Sequence, residues 1–135
     1  MRVQAITRLQ AIALAASVAG VAVSIYLTTV HYGGTPLACP SGQTFNCEAV
    51  LSSRYGVIAG TGVPTSLAGL VWFAVSAVLW TRDLPRAQLA WSALGTLTVL
   101  YLVFIEIVQL GTICLWCTAA HLLVIVIFLI AVYRR

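Results

Sequence analysis

Charge is what this sequence has least of. Only 7% of its 135 residues are charged, against roughly a quarter in a soluble domain. That excludes a globule with a fully wetted surface, and a 61% hydrophobic composition needs a bilayer as its solvent. Lysine is absent: the seven basic residues are all arginine. In a soluble chain the net charge of +4 would hint at nucleic acid. Here the arginines sit at the ends of apolar segments, where membrane topology puts them, so membrane lipids and no nucleic acid are the expected surroundings. Internal repeats and low-complexity tracts are also lacking. The length excludes two sizeable domains, so residues 1–135 read as one.

Four apolar stretches approach spanning length, about 9–31, 64–80, 87–110 and 112–132. A bilayer crossing takes about 20 residues at a rise of about 1.5 Å each. The first stretch is too long for the core of a cleaved signal peptide. Pro64 suits the start of the second, because its missing N–H is unneeded there. Arg2, Arg8, Arg82, Arg86, Arg134 and Arg135 fall on one side of a four-span topology and only Arg54 on the other. The arginine-rich side, with both termini, is therefore expected in the cytoplasm. The 32–63 loop and the turn near Gly111 are expected outside. In that loop a Gly/Pro/Ser/Thr-rich part precedes a helix start. Asn46 is the expected cap, Glu48 suits the first turn, and Phe45 with Val50 has the spacing of a hydrophobic staple. A short helix from Cys47 to about Tyr55 is expected, lying on the bundle.

All four cysteines, Cys39, Cys47, Cys114 and Cys117, fall on the outer side in this topology, where disulfides form and persist. Cys114-Leu115-Trp116-Cys117 opens the last span. A helix N-terminus stabilises the thiolate that attacks in disulfide exchange, so Cys114 and Cys47 are both expected to be activated, with Cys39 in irregular chain free to swing. A zinc site of four thiolates is disfavoured because Cys39 and Cys47 are widely spaced for it, and no metal is expected. A pair of inert structural disulfides is the other alternative.

The order of these motifs resembles the vitamin K epoxide reductase family: four spans, the loop pair Cys39 and Cys47, Ser53-Arg54-Tyr55-Gly56, Gly-Val-Pro-Thr-Ser-Leu-Ala-Gly at 62–69, and the terminal Cys114-Leu115-Trp116-Cys117. The resemblance implies an all-α membrane protein. Its four-transmembrane-helix bundle would have a short extracytoplasmic loop helix capping a quinone pocket. It implies that Cys117 faces the quinone, that Cys114 exchanges with Cys47, and that Cys39 exchanges with an outside partner. Ser53 matches the family's loop hydroxyl near the ring. The function implied is a quinone-dependent thiol oxidase in a prokaryotic plasma membrane. It would relay disulfides from a lipid quinone (menaquinone, ubiquinone or vitamin K type) to a secreted thioredoxin-like, DsbA-like dithiol protein in support of oxidative folding. Many prokaryotic members carry that domain fused; this sequence stops at Arg135, so a separate partner is expected. The animal enzymes have a tyrosine where His121 stands, which favours simple quinone reduction over epoxide reduction. The alternatives are a reductase acting chiefly on the quinone or its epoxide, and a non-enzymatic scaffold with structural disulfides.

Two ionisable residues lie within the spans. His121, four residues after Cys117, shares a helix face with the thiol pair and is a candidate quinone ligand. Glu106 is expected to pair with an interhelical donor or reach outward, with proton relay as the alternative.

Overall fold

The computed structural model describes residues 2–33, 46–58 and 61–135, and every long element among them is a helix. Helix α1 is Arg2–Gly33, the short α2 is Cys47–Leu51, and a 3-10 turn follows at Arg54–Gly56. Then come α3 (Thr65–Trp80), α4 (Pro85–Phe104), a π-helical turn (Ile105–Leu110) and α5 (Leu115–Arg134). Segments Arg8–Gly33, Pro85–Leu110 and Leu115–Arg134 are long and apolar enough to cross a membrane. Helix α3 is apolar but has 16 residues, about 24 Å of rise. Leu97, Leu100, Leu122 and Leu129 are each more than half exposed, an outward apolar surface that lipid satisfies and water does not.

Helices α1 and α3 run antiparallel along a seam of small residues. Ala13, Ala16, Ser17, Gly20 and Ser24 share one buried face of α1, at the three- and four-residue spacing of a helix stripe. Small side chains let two backbones approach where lipid offers no hydrophobic drive, and hydroxyls then bond across. Ser17 Oγ lies 3.0 Å from Ser76 Oγ and Thr28 Oγ1 lies 2.9 Å from Ser66 Oγ, with Gly20 against the Phe73 ring between them. A methyl group on Gly20 would overlap that ring, and Phe73 is buried in the core. Gly20→Ala is therefore expected to destabilise the protein by about 1–3 kcal/mol, read as a lower thermal midpoint in detergent.

Helix α5 packs against α1 and α4, and α4 against α3, so the four long helices surround a common interior. At one end a polar knot ties them. Arg134 donates to Gln88 Oε1 (3.0 Å) and Asp83 Oδ1 (3.2 Å), and its guanidinium lies over the Trp80 ring. Gln88 in turn donates to the Leu79 and Arg82 carbonyls, and Gln10 to that of Trp80. Nearer the middle, Trp72 and Trp91 stack and each donates its indole N–H to the other's carbonyl.

The opposite end carries α2, the π turn and Cys114. Asn46 caps α2 as its sequence position requires: its Oδ1 accepts from Ala49 N at 3.1 Å. The short helix ends at Leu51, before the expected Tyr55, because the 3-10 turn takes over. Phe45, the other half of the expected staple, lies outside the described residues. Helix α5 begins at Leu115 instead of Thr112, because Gly111 takes the left-handed conformation (φ 66°) that stops the preceding turn and that glycine adopts without strain.

Candidate functional site

The thiol end is organised by one strand-like contact. Asn46 N donates to Ile113 O at 3.0 Å, which holds the start of α2 against the residues leading into α5. Cys47, the first residue of α2, and Cys114 are thereby brought into one small buried cluster with Val50. Cys47 is disulfide-bonded, whereas Cys114 and Cys117 are free thiols. Cys39, the expected mobile member of the loop pair, lies outside the described residues.

Cys114 is extended and serves as the N-cap of α5, one position earlier than the first turn. Its Sγ accepts from Cys117 N at 3.2 Å, so the sulfur sits on the free N–H groups of the helix start. The Cys117 thiol, donating to Cys114, is the leading reason that the Cys114 pKa falls below the usual 9.0; backbone N–H groups of Cys117 and Trp116 add to it, against burial and the charge of Glu106. A lowered thiol pKa enlarges the thiolate fraction at neutral pH. Alkylation of Cys114 in the reduced protein should therefore persist as pH falls through 9. Mass-spectrometric labelling rates against pH check this.

Cys117 lies about one turn deeper and on the wall of a cavity of about 340 Å³. The cavity falls within the range of small-molecule sites, which are apolar with a few placed polar groups. Trp72, Phe73, Val99 and Val124 supply apolar wall, and Val50 and Leu51 of α2 line it from the thiol end. His121 also lines it, 8% exposed. Among the described residues nothing hydrogen-bonds its ring, yet no buried polar atom is unsatisfied. The imidazole of this lining residue is thus left without a protein partner among the described residues. An apolar slot with a thiol and an unpartnered imidazole on its wall fits a flat quinone with carbonyl acceptors.

Ser53 is not among the lining residues. Its Oγ donates to Val50 O at 2.6 Å, while Tyr55, Thr65 and Ser66 are on the wall. Glu106 does not reach outward; of the two expected arrangements it takes pairing with a donor at the head of the next helix. It is 5% exposed, lines the cavity, and its Oε2 accepts from Cys114 N at 3.4 Å. Trp116, between the two thiols, packs its ring 4.8 Å from that of Tyr26 on α1. The sequence gives no role to Tyr55, which stands inside the Ser53-Arg54-Tyr55-Gly56 motif, or to Trp72, although the i, i+4 spacing of Ala68 and Trp72 is a signal that puts those two on one helix face.

Comparison with known proteins gives one family. The model of the vitamin K epoxide reductase family matches residues 11–132. No curated protein matches the chain.

Proposed function

We propose that this chain, which belongs to the vitamin K epoxide reductase family, is a membrane thiol oxidase that passes disulfides outward to a thioredoxin-like dithiol protein. The family is one of membrane-embedded oxidoreductases whose chemistry is quinone-linked disulfide exchange. The observation that carries the reading is the adjacency of three things: Cys47 and Cys114 buried in one cluster, and Cys117 on the wall of an apolar cavity. Residues 1–135 act as one domain. Helix α3 crosses with the three longer segments, α2 caps the pocket, both termini are cytoplasmic, and the cysteines face the other side.

In this reading a reduced partner attacks the Cys39–Cys47 disulfide. The partner's two thiols become a disulfide and the loop pair becomes a dithiol. Once the quinone-linked oxidation has joined Cys114 and Cys117, which are free thiols in this structure, as a disulfide, Cys47 attacks its Cys114 sulfur, forming a Cys47–Cys114 mixed disulfide as the Cys114–Cys117 bond breaks and Cys117 leaves as thiolate. Cys39 closes back on Cys47 and frees Cys114, so the electron pair now resides on Cys114 and Cys117. A bound quinone supplies the acceptor for the two electrons and two protons that leave this pair. Cys117 contacts it, His121 donates to a carbonyl oxygen, and the apolar walls exclude water. Ser53, through its bond to Val50 O, holds the end of α2 that brings Val50 and Leu51 onto the cavity.

The test is turnover of purified protein with a soluble menaquinone, followed by quinone absorbance. With a reduced thioredoxin-like protein as donor, Ala at any of the four cysteines should stop turnover. With dithiothreitol, Cys114 and Cys117 should still be required and Cys39 and Cys47 dispensable. Undiminished turnover of Cys114→Ala with either donor would refute the reading.

A further inference from the structure

We infer that Glu106 is the proton acceptor of the deep thiol pair: it takes the Cys114 proton when that sulfur becomes a thiolate and returns it when the thiol re-forms. The inference rests on the relay proposed above and names a residue that the relay does not itself require.

The backbone builds this contact. Residues 105–110 form a π turn, and the Glu106 carbonyl accepts from both Gly111 N and Thr112 N. Wide turns of this kind occur mostly at functional sites. The chain doubles back so tightly that Cys114, eight residues later, donates its own N–H to the Glu106 carboxylate. That is the carboxylate's one hydrogen bond among the described residues, and the side chain also faces the cavity that Cys117 and His121 line.

The burial is costly and meets no compensating cation among the described residues. Carboxylates within a membrane protein are expensive and are found paired or at functional positions. The one ion pair among the described residues, Arg134 with Asp83, is at the other end of the molecule. A purely structural acceptor for Cys114 N–H would need no ionisable group. A carboxylate there gives the thiol a local exchange, Cys114–SH + Glu106–COO⁻ → Cys114–S⁻ + Glu106–COOH. The exchange is balanced, needs no water and leaves the net charge of the site unchanged, which matters in a low-dielectric interior. The thiols that act on Glu106 directly are Cys114 and Cys117; His121 and Tyr55 share its cavity, and Cys47, disulfide-bonded here, packs against Cys114. The cavity residues contributed by α1, α3 and α4 are apolar or carry only hydroxyl, indole or backbone groups.

Two groups that share a proton titrate as a pair. The rate of Cys114 alkylation in reduced, quinone-free protein, resolved by mass spectrometry, should therefore rise with pH in two steps. The two steps should survive His121→Leu and merge into one in Glu106→Gln. Turnover with dithiothreitol and menaquinone should fall about a hundredfold in Glu106→Gln, the size of a lost acid–base group, and recover in part in Glu106→Asp. A single-step profile in the wild type overturns the inference even if no variant folds, and so does Glu106→Gln with wild-type turnover. Failure of the wild type to oxidise dithiol would instead strike the relay itself.

Discussion

Cys117→Ser is expected to lose quinone-linked thiol oxidation by at least about a thousandfold, the scale seen when one member of a concerted catalytic unit is removed, and, with Cys39→Ser added and oxidised partner as the oxidant, to accumulate a Cys47–Cys114 disulfide. With Cys39 and Cys117 both replaced, a Cys114 sulfur joined to Cys47 has no neighbouring thiol to displace it from either side. The geometry favours that trapped pair. Both sulfurs belong to one buried cluster, and the Asn46 N to Ile113 O bond fixes the two segments side by side. Peptide mapping under non-reducing conditions reads the product directly. Recovery of free Cys114 in the double variant after exposure to oxidised partner would place Cys47 out of reach and break the relay at its middle step.

His121→Leu should have the next largest effect. A leucine fills much of the same space but removes an imidazole that has no partner among the described residues on the cavity wall. The loss of one hydrogen bond in a buried site costs about 1–3 kcal/mol, so the quinone KM should rise about tenfold to a hundredfold. Rates at saturating quinone should change less, and alkylation of Cys114 should not change. His121→Gln, which keeps an N–H donor, should recover part of the loss. Titration of soluble menaquinone against the intrinsic tryptophan fluorescence measures the binding side separately, since Trp72 lines the cavity. An unchanged KM and unchanged quenching in His121→Leu would assign the ring a packing role only.

What the sequence makes legible here is local. Asn46 ahead of Cys47 announces a capped helix, and the cap bond to Ala49 N is present. The Cys-x-x-Cys at a helix start places Cys117 one turn in, and that step reaches the cavity because side chains three and four residues apart share a face. The start of α5 is displaced by three residues because apolar character continues through Thr112 and Ile113 while the backbone breaks at Gly111. As a result Cys114 caps the helix with its own sulfur, a role that hydropathy does not encode. The π turn is equally silent, since Ile105–Leu110 looks like more apolar helix.

The remaining features are long-range pairings that no window can show. Arg134 reads as a topology signal at the chain's end, yet its guanidinium is spent on Gln88 and Asp83, 46 and 51 residues away. Gln88 looks like an ordinary polar residue near a helix start but is 2% exposed and ties α4 to the preceding connection. The small-residue face of α1 has meaning only once α3 lies against it. Ser53 is a further case: its hydroxyl stands in a family-like motif, and its bond goes to Val50 O at its own helix end.

The most direct test is anaerobic and stoichiometric. Detergent-purified protein is mixed with a reduced thioredoxin-like protein and a limited amount of soluble menaquinone, and thiols and quinone are counted together. The account predicts one quinone reduced for each pair of thiols lost, with no thiol loss when quinone is withheld beyond the protein's own disulfides. Thiol oxidation that continues at the same rate without quinone, or quinone reduction without matching disulfide formation, would contradict it.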